Sequence, residues 1–310
     1  MRERDSVAEE VTFPDHPTPD TRREPDAVRE PSVTQTFRER LERLPPNHPS
    51  SPRYHDGPRK PPPPDLPPLE HPHPDEPSDA QSDKPITHPD GSWEWKGRRL
   101  TPDQCHCANE TLDEFRTIEG RDETGAYTDR GLTPAMRRVE ARLEHGHLLD
   151  RTEEFALKSP DRFKEKLAKL IEARPNADPR KLARSIHDGV RYTLILDFDH
   201  YTNAVDKGHD QLAEAGYERI QTRPSWDEDE YKGVNSRWRE PTSGLLFEVQ
   251  FHTEESWRAK QTTHTAYERI EDPRTPVDEV EHLRAYQRNF ALSVRIPEGA
   301  LQIPAYKKER

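Results

Sequence analysis

Twenty-one of the chain's 32 prolines fall within residues 1–90, and this lopsided distribution constrains the fold more than any single motif does. Proline lacks a backbone N–H and fixes φ, so it is excluded from helix interiors and central strands. The run PRKPPPPDLPPL at 58–69 favours a solvated polyproline II conformation without internal hydrogen bonds. Residues 1–90 therefore read as a disordered proline-rich leader, a tether or spacer with at most a transient helical pattern near 37–44. This leader explains why the whole chain is only 29% hydrophobic and 35% charged. The remaining segment has about 200 residues, enough for one mid-sized core.

Charge removes further classes. The net charge is −12 and the isoelectric point is near 5.7. Residues 1–90 carry 12 Lys and Arg against 19 Asp and Glu, and residues 91–310 carry 36 against 41, so neither part is broadly basic. A duplex-DNA partner is excluded on that ground, while a local basic pocket for a small polyphosphate is not. No window is apolar enough for a membrane span. The opening MRERDSVAEEV has no apolar signal core, which points to the cytoplasm, or to export by a route that reads no such signal. Cys105 and Cys107 are the only cysteines and cannot form a disulfide framework. With His106 between them they hint at a metal site, but no second pair exists, and two reduced thiols is the simpler reading.

Order is expected from about Trp93. Residues 101–120 read as a capped helix ending in Gly, 133–145 as a second helix with Met136, Val139 and Leu143 at helical spacing, and 159–174 as a third. The nearly continuous apolar run at 190–196 reads as a buried strand. A helix at 201–215, strands at 217–222 and 234–239, an acidic loop at 226–230 and a turn at 241–244 come next. The clearest strand is 245–252, and helices over 253–270 and 277–292 close the chain. This order predicts an α+β fold, a mixed β-sheet flanked by helices.

Three places carry chemistry. The strand 245–252 puts Leu245, Phe247, Val249 and Phe251 on one face and Glu248, Gln250 and His252 on the other. Such a polar row either lines a cleft or faces solvent. The third helix offers Lys158, Arg162 and Lys166 at spacings of four, beside its N-terminus at Ser159. That pattern fits either a polyphosphate site or a solvated basic face. Asp188-Gly189-Val190-Arg191 places an acid and a cation at the mouth of the buried strand.

Taken together, these pieces resemble the synthetase domain of the RelA/SpoT family. Phe247-Glu248-Val249-Gln250-Phe251-His252-Thr253 is similar to its Glu-x-Gln-x-Arg-Thr motif, and Thr263-His264-Thr265-Ala266-Tyr267 to its His-x-x-Tyr helix. Tyr231-Lys232-Gly233-Val234-Asn235-Ser236 resembles its Gly-Tyr-x-Ser loop, Asp188 to Arg191 its Asp…Gly-x-Arg strand, and Lys158-Ser159…Arg162…Lys166 its ATP-gripping helix. The resemblance spans about residues 143–303.

The resemblance implies a nucleotidyltransferase-like fold and a pyrophosphokinase that moves the β,γ-pyrophosphate of ATP to a 3′-hydroxyl, using Mg²⁺. It implies Glu248, Gln250 and Asp188 as catalytic groups, with Asp188 and Glu248 on the metal. Lys158, Ser159, Arg162, Lys166 and Arg191 would hold ATP, and Tyr231, Lys232, Asn235, His252, His264 and Tyr267 the acceptor. The sequence departs from the family at three points. Asp188 lies three positions before Arg191 instead of five, with Ile186 in the usual place. Val234 stands at the loop tyrosine that stacks on guanine, unless Tyr231, Trp226 or Trp238 substitutes. His252 stands at the motif arginine. The acceptor stays open: GDP or GTP, ADP or ATP, or an RNA 3′ end. The domain plan is a leader at 1–90, a helical connecting segment at 91–142 and the synthetase domain at 143–310. A proline-rich leader before such a domain resembles polymorphic toxins, with an immunity protein as a further partner. The alternatives are an ADP-ribosyltransferase toxin, for which the acids of 227–230 offer a loop but no matching Ser-Thr-Ser strand, and a non-catalytic binding module.

Overall fold

The structure is a computed structural model that describes residues 84–309 apart from Glu123 and Arg151. The expected leader, up to residue 83, and its helical pattern lie outside the described residues. Strands β1 (Ile86–Thr87), β2 (Trp93–Trp95) and β3 (Arg98–Leu100) form a small antiparallel sheet, so regular structure begins ahead of Trp93. Trp93 is fully buried, and its indole N–H donates to Asp161 at 2.9 Å, which fastens this sheet to the third expected helix.

Helix α1 (Pro102–Glu119) starts where the sequence says it should. The Thr101 hydroxyl accepts from the Gln104 N–H, the Gln104 side chain accepts from the Thr101 N–H, and proline occupies the first turn. It stops at Gly120, whose φ of +108° is left-handed. Helix α2 (Leu132–Arg142) is shorter than expected, because Leu143 is already extended and leads into β4 (Gly146–Leu148). Two short helices, α3 (Thr152–Phe155) and α5 (Pro179–Arg184), flank α4 (Pro160–Ala173).

The main sheet has six strands in the order β4-β5-β8-β7-β6-β9. Its members are β5 (Arg191–Leu196), β6 (Glu218–Pro224), β7 (Val234–Arg239), β8 (Leu246–Thr253) and β9 (Tyr306–Lys307), besides β4. Only β5 and β8 run parallel; the other pairings are antiparallel, which makes the sheet mixed. Helix α6 (Tyr201–Glu214) packs on the apolar face of β8, where Gly208 leaves room for the Phe251 ring. The helix expected over 253–270 is two, α7 (Glu254–Thr262) and α8 (His264–Ile270). The break falls in a threonine-rich run, where the Thr263 hydroxyl bonds back to the Ala259 carbonyl at 2.9 Å. Helix α9 (Val277–Ser293) then packs against α8.

The fold is thus α+β, a mixed sheet flanked by helices, as the sequence predicts. One apolar core runs through it, joining Trp93, Leu100, Phe115 and Met136 to Leu194, Val205, Phe247 and Phe251. No helix among the described residues is long and apolar enough to cross a membrane. Cys105 packs into this core and Cys107 is half-buried, each as a free thiol.

Candidate active site

The parallel pair β5–β8 builds the centre. Its register sets Arg191 opposite Glu248, Thr193 opposite Gln250 and Ile195 opposite His252. With a period of two, Arg191, Glu248, Gln250 and His252 share one face, while Tyr192, Leu194, Phe247 and Phe251 enter the core. The polar face is covered and not wetted: Glu248 is 6% exposed, Gln250 4% and His252 0%. Buried polar groups need partners. Gln250 Nε2 donates to Glu248 Oε1 at 2.6 Å, and His187 Nε2 lies 3.4 Å from Glu248 Oε2. Burial alone would raise the Glu248 carboxyl, but the His187 hydrogen bond and the Arg191 guanidinium outweigh it and hold it below the usual range. Glu248 is therefore an ionised, oriented carboxylate.

Asp188 sits beside it. The backbone pairs 156–158 with 189–191: the Lys158 N–H bonds the Gly189 carbonyl, and the Arg191 N–H bonds the Ala156 carbonyl. This pairing brings Lys158 Nζ to 3.1 Å from Asp188 Oδ2, and Lys166 of α4 comes to 3.7 Å. Burial raises the Asp188 carboxyl, and these two ammonium groups override it and push it far down. Lys158, buried in turn, is pulled below its usual range despite Asp188. The other oxygen, Asp188 Oδ1, is buried without a protein partner. Among the described residues no cluster of three or more His, Cys, Asp or Glu could hold a metal alone. Magnesium, however, binds through one or two carboxylates plus phosphate oxygens. Asp188, with its free oxygen, and Glu248 fit that mode.

The other expected ATP ligands divide. Ser159 precedes α4 but is exposed, and its side chain makes no capping bond. Arg162 leaves the Lys158–Lys166 group: it pairs with Glu165 and with Glu268 of α8, and lies 4.9 Å from the Trp95 ring centre. Lys158 lies ahead of α4, in the extended pairing with 189–191, so helical spacing relates only Arg162 and Lys166, and the acid available to each cation decides where it points.

The acceptor group also separates. The Tyr231 hydroxyl donates to Asn235 Oδ1 at 2.8 Å and meets His252 Nε2 at 2.9 Å, while His252 Nδ1 meets the Ser256 hydroxyl at 2.9 Å. Burial and the nearby Lys260 and Arg191 keep the His252 imidazole neutral far below its usual pKa. Gly233, at φ +152°, presses its backbone onto this ring; a Cβ there would stand 3.0 Å from His252 Cε1. His252 is fully buried, with one ring nitrogen at Tyr231 and the other at Ser256. Lys232 turns away, its ammonium donating to the carbonyls of Trp226 (2.9 Å) and Glu228, so it ties down the acidic loop. Val234, Trp226 and Trp238 are core residues and present no ring for stacking. Tyr267 is 51% exposed and within electrostatic reach of Asp188 and Arg191, while the exposed His264 pairs with Glu268 at 3.3 Å.

Two residues of the centre escape a sequence reading. His187 adjoins Asp188 but belongs to no motif. Lys260 of α7 donates to Gln250 Oε1 and lies 4.7 Å from the Trp257 ring centre. The one signal for it is the spacing of four from Ser256, which puts both on the strand-facing side. A separate cavity of about 380 Å³, lined by Glu114, Ile118, Tyr217 and Glu240, shares none of these residues.

No family model and no curated protein matches the chain. Among solved structures it is similar to the small alarmone synthetase 1 of Bacillus subtilis, at 13% identity and a TM-score of 0.35, covering 60% of this chain and 88% of that one. That enzyme bound to its product pppGpp gives 13% and 0.35, covering 60% and 89%. A GTP pyrophosphokinase family protein of Streptococcus pneumoniae gives 16% and 0.34, covering 61% and 84%.

Proposed function

We propose that this chain is a Mg²⁺-dependent pyrophosphokinase that moves the β,γ-pyrophosphate of ATP to the 3′-hydroxyl of a nucleotide or of an RNA end. The observation that carries the reading is Glu248: a buried, ionised carboxylate held by Gln250 and His187, opposite Arg191 and beside Asp188 with its free oxygen. A 3′-hydroxyl needs a proton acceptor to become a nucleophile, and an oriented carboxylate is one. The acceptor oxygen bonds to the β-phosphorus, the bond from that phosphorus to the α,β-bridging oxygen breaks, AMP leaves, and the hydroxyl proton goes to Glu248.

Triphosphate charge calls for cations along its length. Lys158, Lys166 and Arg191 line the path beside Asp188, and Arg162 joins them if phosphate draws it from Glu268. Asp188 and Glu248 would hold Mg²⁺, which when bound neutralises phosphate charge. Tyr267, exposed next to this group, is the aromatic surface for a base, and His264 flanks it. Tyr231 and Asn235, half-buried, and the buried His252 act as a brace behind the acceptor side. In this reading residues 143–310 form the catalytic unit and 91–142 its packed support, and the role is that of a toxin or effector domain.

The test is transfer from labelled ATP with Mg²⁺, offering GDP, GTP, ADP, ATP and tRNA in turn. Wild type should yield a 3′-pyrophosphorylated product, and E248Q should lose about 10²- to 10⁴-fold in rate, the usual loss for a general base. No transfer to any acceptor by folded protein would sink this reading.

A further inference from the structure

Lys260 reaches the carboxylate face from helix α7. Helix α7 is anchored at its start: the Thr253 hydroxyl accepts from the Ser256 N–H at 3.2 Å, and Ser256 holds His252 Nδ1. One turn later the Lys260 side chain doubles back onto β8, where its ammonium donates to Gln250 Oε1. The Trp257 ring walls it at 4.7 Å and Tyr231 at 6.0 Å.

The chemistry of Gln250 makes this contact directional. An ammonium only donates and an ionised carboxylate only accepts. With protonated Lys260 on one side and ionised Glu248 on the other, the amide has one satisfied orientation, oxygen to Lys260 and NH₂ to Glu248. A flip would set N–H against ammonium and oxygen against carboxylate. The order Lys260, Gln250, Glu248 therefore fixes carboxylate Oε1, while His187 meets Oε2.

We propose that Lys260 is a positioning residue for the transfer reaction, locking the Gln250 amide and through it the Glu248 carboxylate. This rests on the pyrophosphokinase reading. The groups facing Lys260 are Glu248, Gln250 and His252 of β8, Arg191 of β5, and Tyr231 and Trp257. Burial and the Arg191 charge bring its ammonium down to about 7, only partly offset by Glu248. A packing role alone would be met by a methionine without that cost.

The experiment compares wild type, K260M and K260R. Transfer kinetics give kcat and KM for ATP, and protein labelled with ¹⁵N in glutamine side chains gives the Gln250 amide signals. The expected result is a fall in kcat of about 30- to 100-fold in K260M with KM for ATP changed less than about twofold, as for a misplaced reacting group. K260R, which keeps a cationic donor, recovers most of the rate. K260M also shifts the Gln250 amide signals and speeds their proton exchange. Unchanged kcat, or a raised KM with unchanged kcat, overturns the proposal, the second by making Lys260 a phosphate ligand. If wild type shows no transfer, the reaction assignment fails by itself, and unaltered Gln250 amide signals in K260M then overturn the clamp separately. Should K260M not fold, K260Q gives the same comparison, since its shorter neutral side chain cannot span to Gln250.

Discussion

At the scale of residues, position in a motif and role in the site part company at His252. The motif that β8 resembles carries arginine there, and a guanidinium could meet phosphate directly. Here the imidazole is fully buried, is bonded through both nitrogens, and has the Gly233 backbone on its face. Restoring the arginine should therefore harm the protein. H252R is expected to lose about 3 kcal/mol of stability, from overpacking and from a cation buried close to the half-buried Arg191 and Lys260, read as a lower urea midpoint. A gain of transfer rate without loss of stability would contradict this. Glu248 and Gln250 are legible in the sequence, because strand periodicity alone puts them on one face, whereas Arg191 joins them only through the register of the parallel pair β5–β8. Lys232 and Arg162 depart from their expected places for one reason: a long flexible cation goes to the nearest acceptor, and that acceptor comes from another element. For Lys232 it is a pair of loop carbonyls, for Arg162 it is Glu268.

At the scale of elements, long periodic segments are legible and short ones are not. Strands β5, β7 and β8 and helices α1, α4, α6 and α9 match their hydrophobic patterns closely. Strands β1, β4 and β9, of two or three residues, and the four-residue helix α3 are too short for a period to show. They exist because neighbouring elements offer edges and caps. The junction between α1 and α2 shows how little chain can fix such geometry. Gly120 ends α1 at φ +108°, and a Cβ there would stand 2.4 Å from the Arg130 carbonyl oxygen. G120A should cost about 2–4 kcal/mol, combining left-handed strain with a backbone clash, and a shift in thermal or urea midpoint measures it. A change within about 0.5 kcal/mol would show that the junction relaxes freely.

At the scale of the whole molecule, two buried imidazoles set the acid limit. His209 is brought down to about 3 by burial and the Arg219 charge, and His252 is likewise held neutral. Below the ordinary histidine range the unfolded chain binds both protons and the folded chain binds neither. Stability must then fall as pH drops, with these two adding up to about 2.7 kcal/mol per pH unit. Urea melts between pH 7 and 4.5 should show the slope, and H209Q should remove about half of that contribution. The small N-terminal sheet has a different consequence. The Trp95 ring centre lies 4.7 Å from the Lys96 ammonium and 4.9 Å from the Arg162 guanidinium. Cations resting on an indole alter its emission, so any polyanion that draws Arg162 off the ring should change the colour or brightness of Trp95. ATP titration should shift the intrinsic fluorescence, and W95F should abolish the shift while leaving the other four tryptophans glowing. The fold would then carry its own optical gauge of nucleotide arrival, with no label attached.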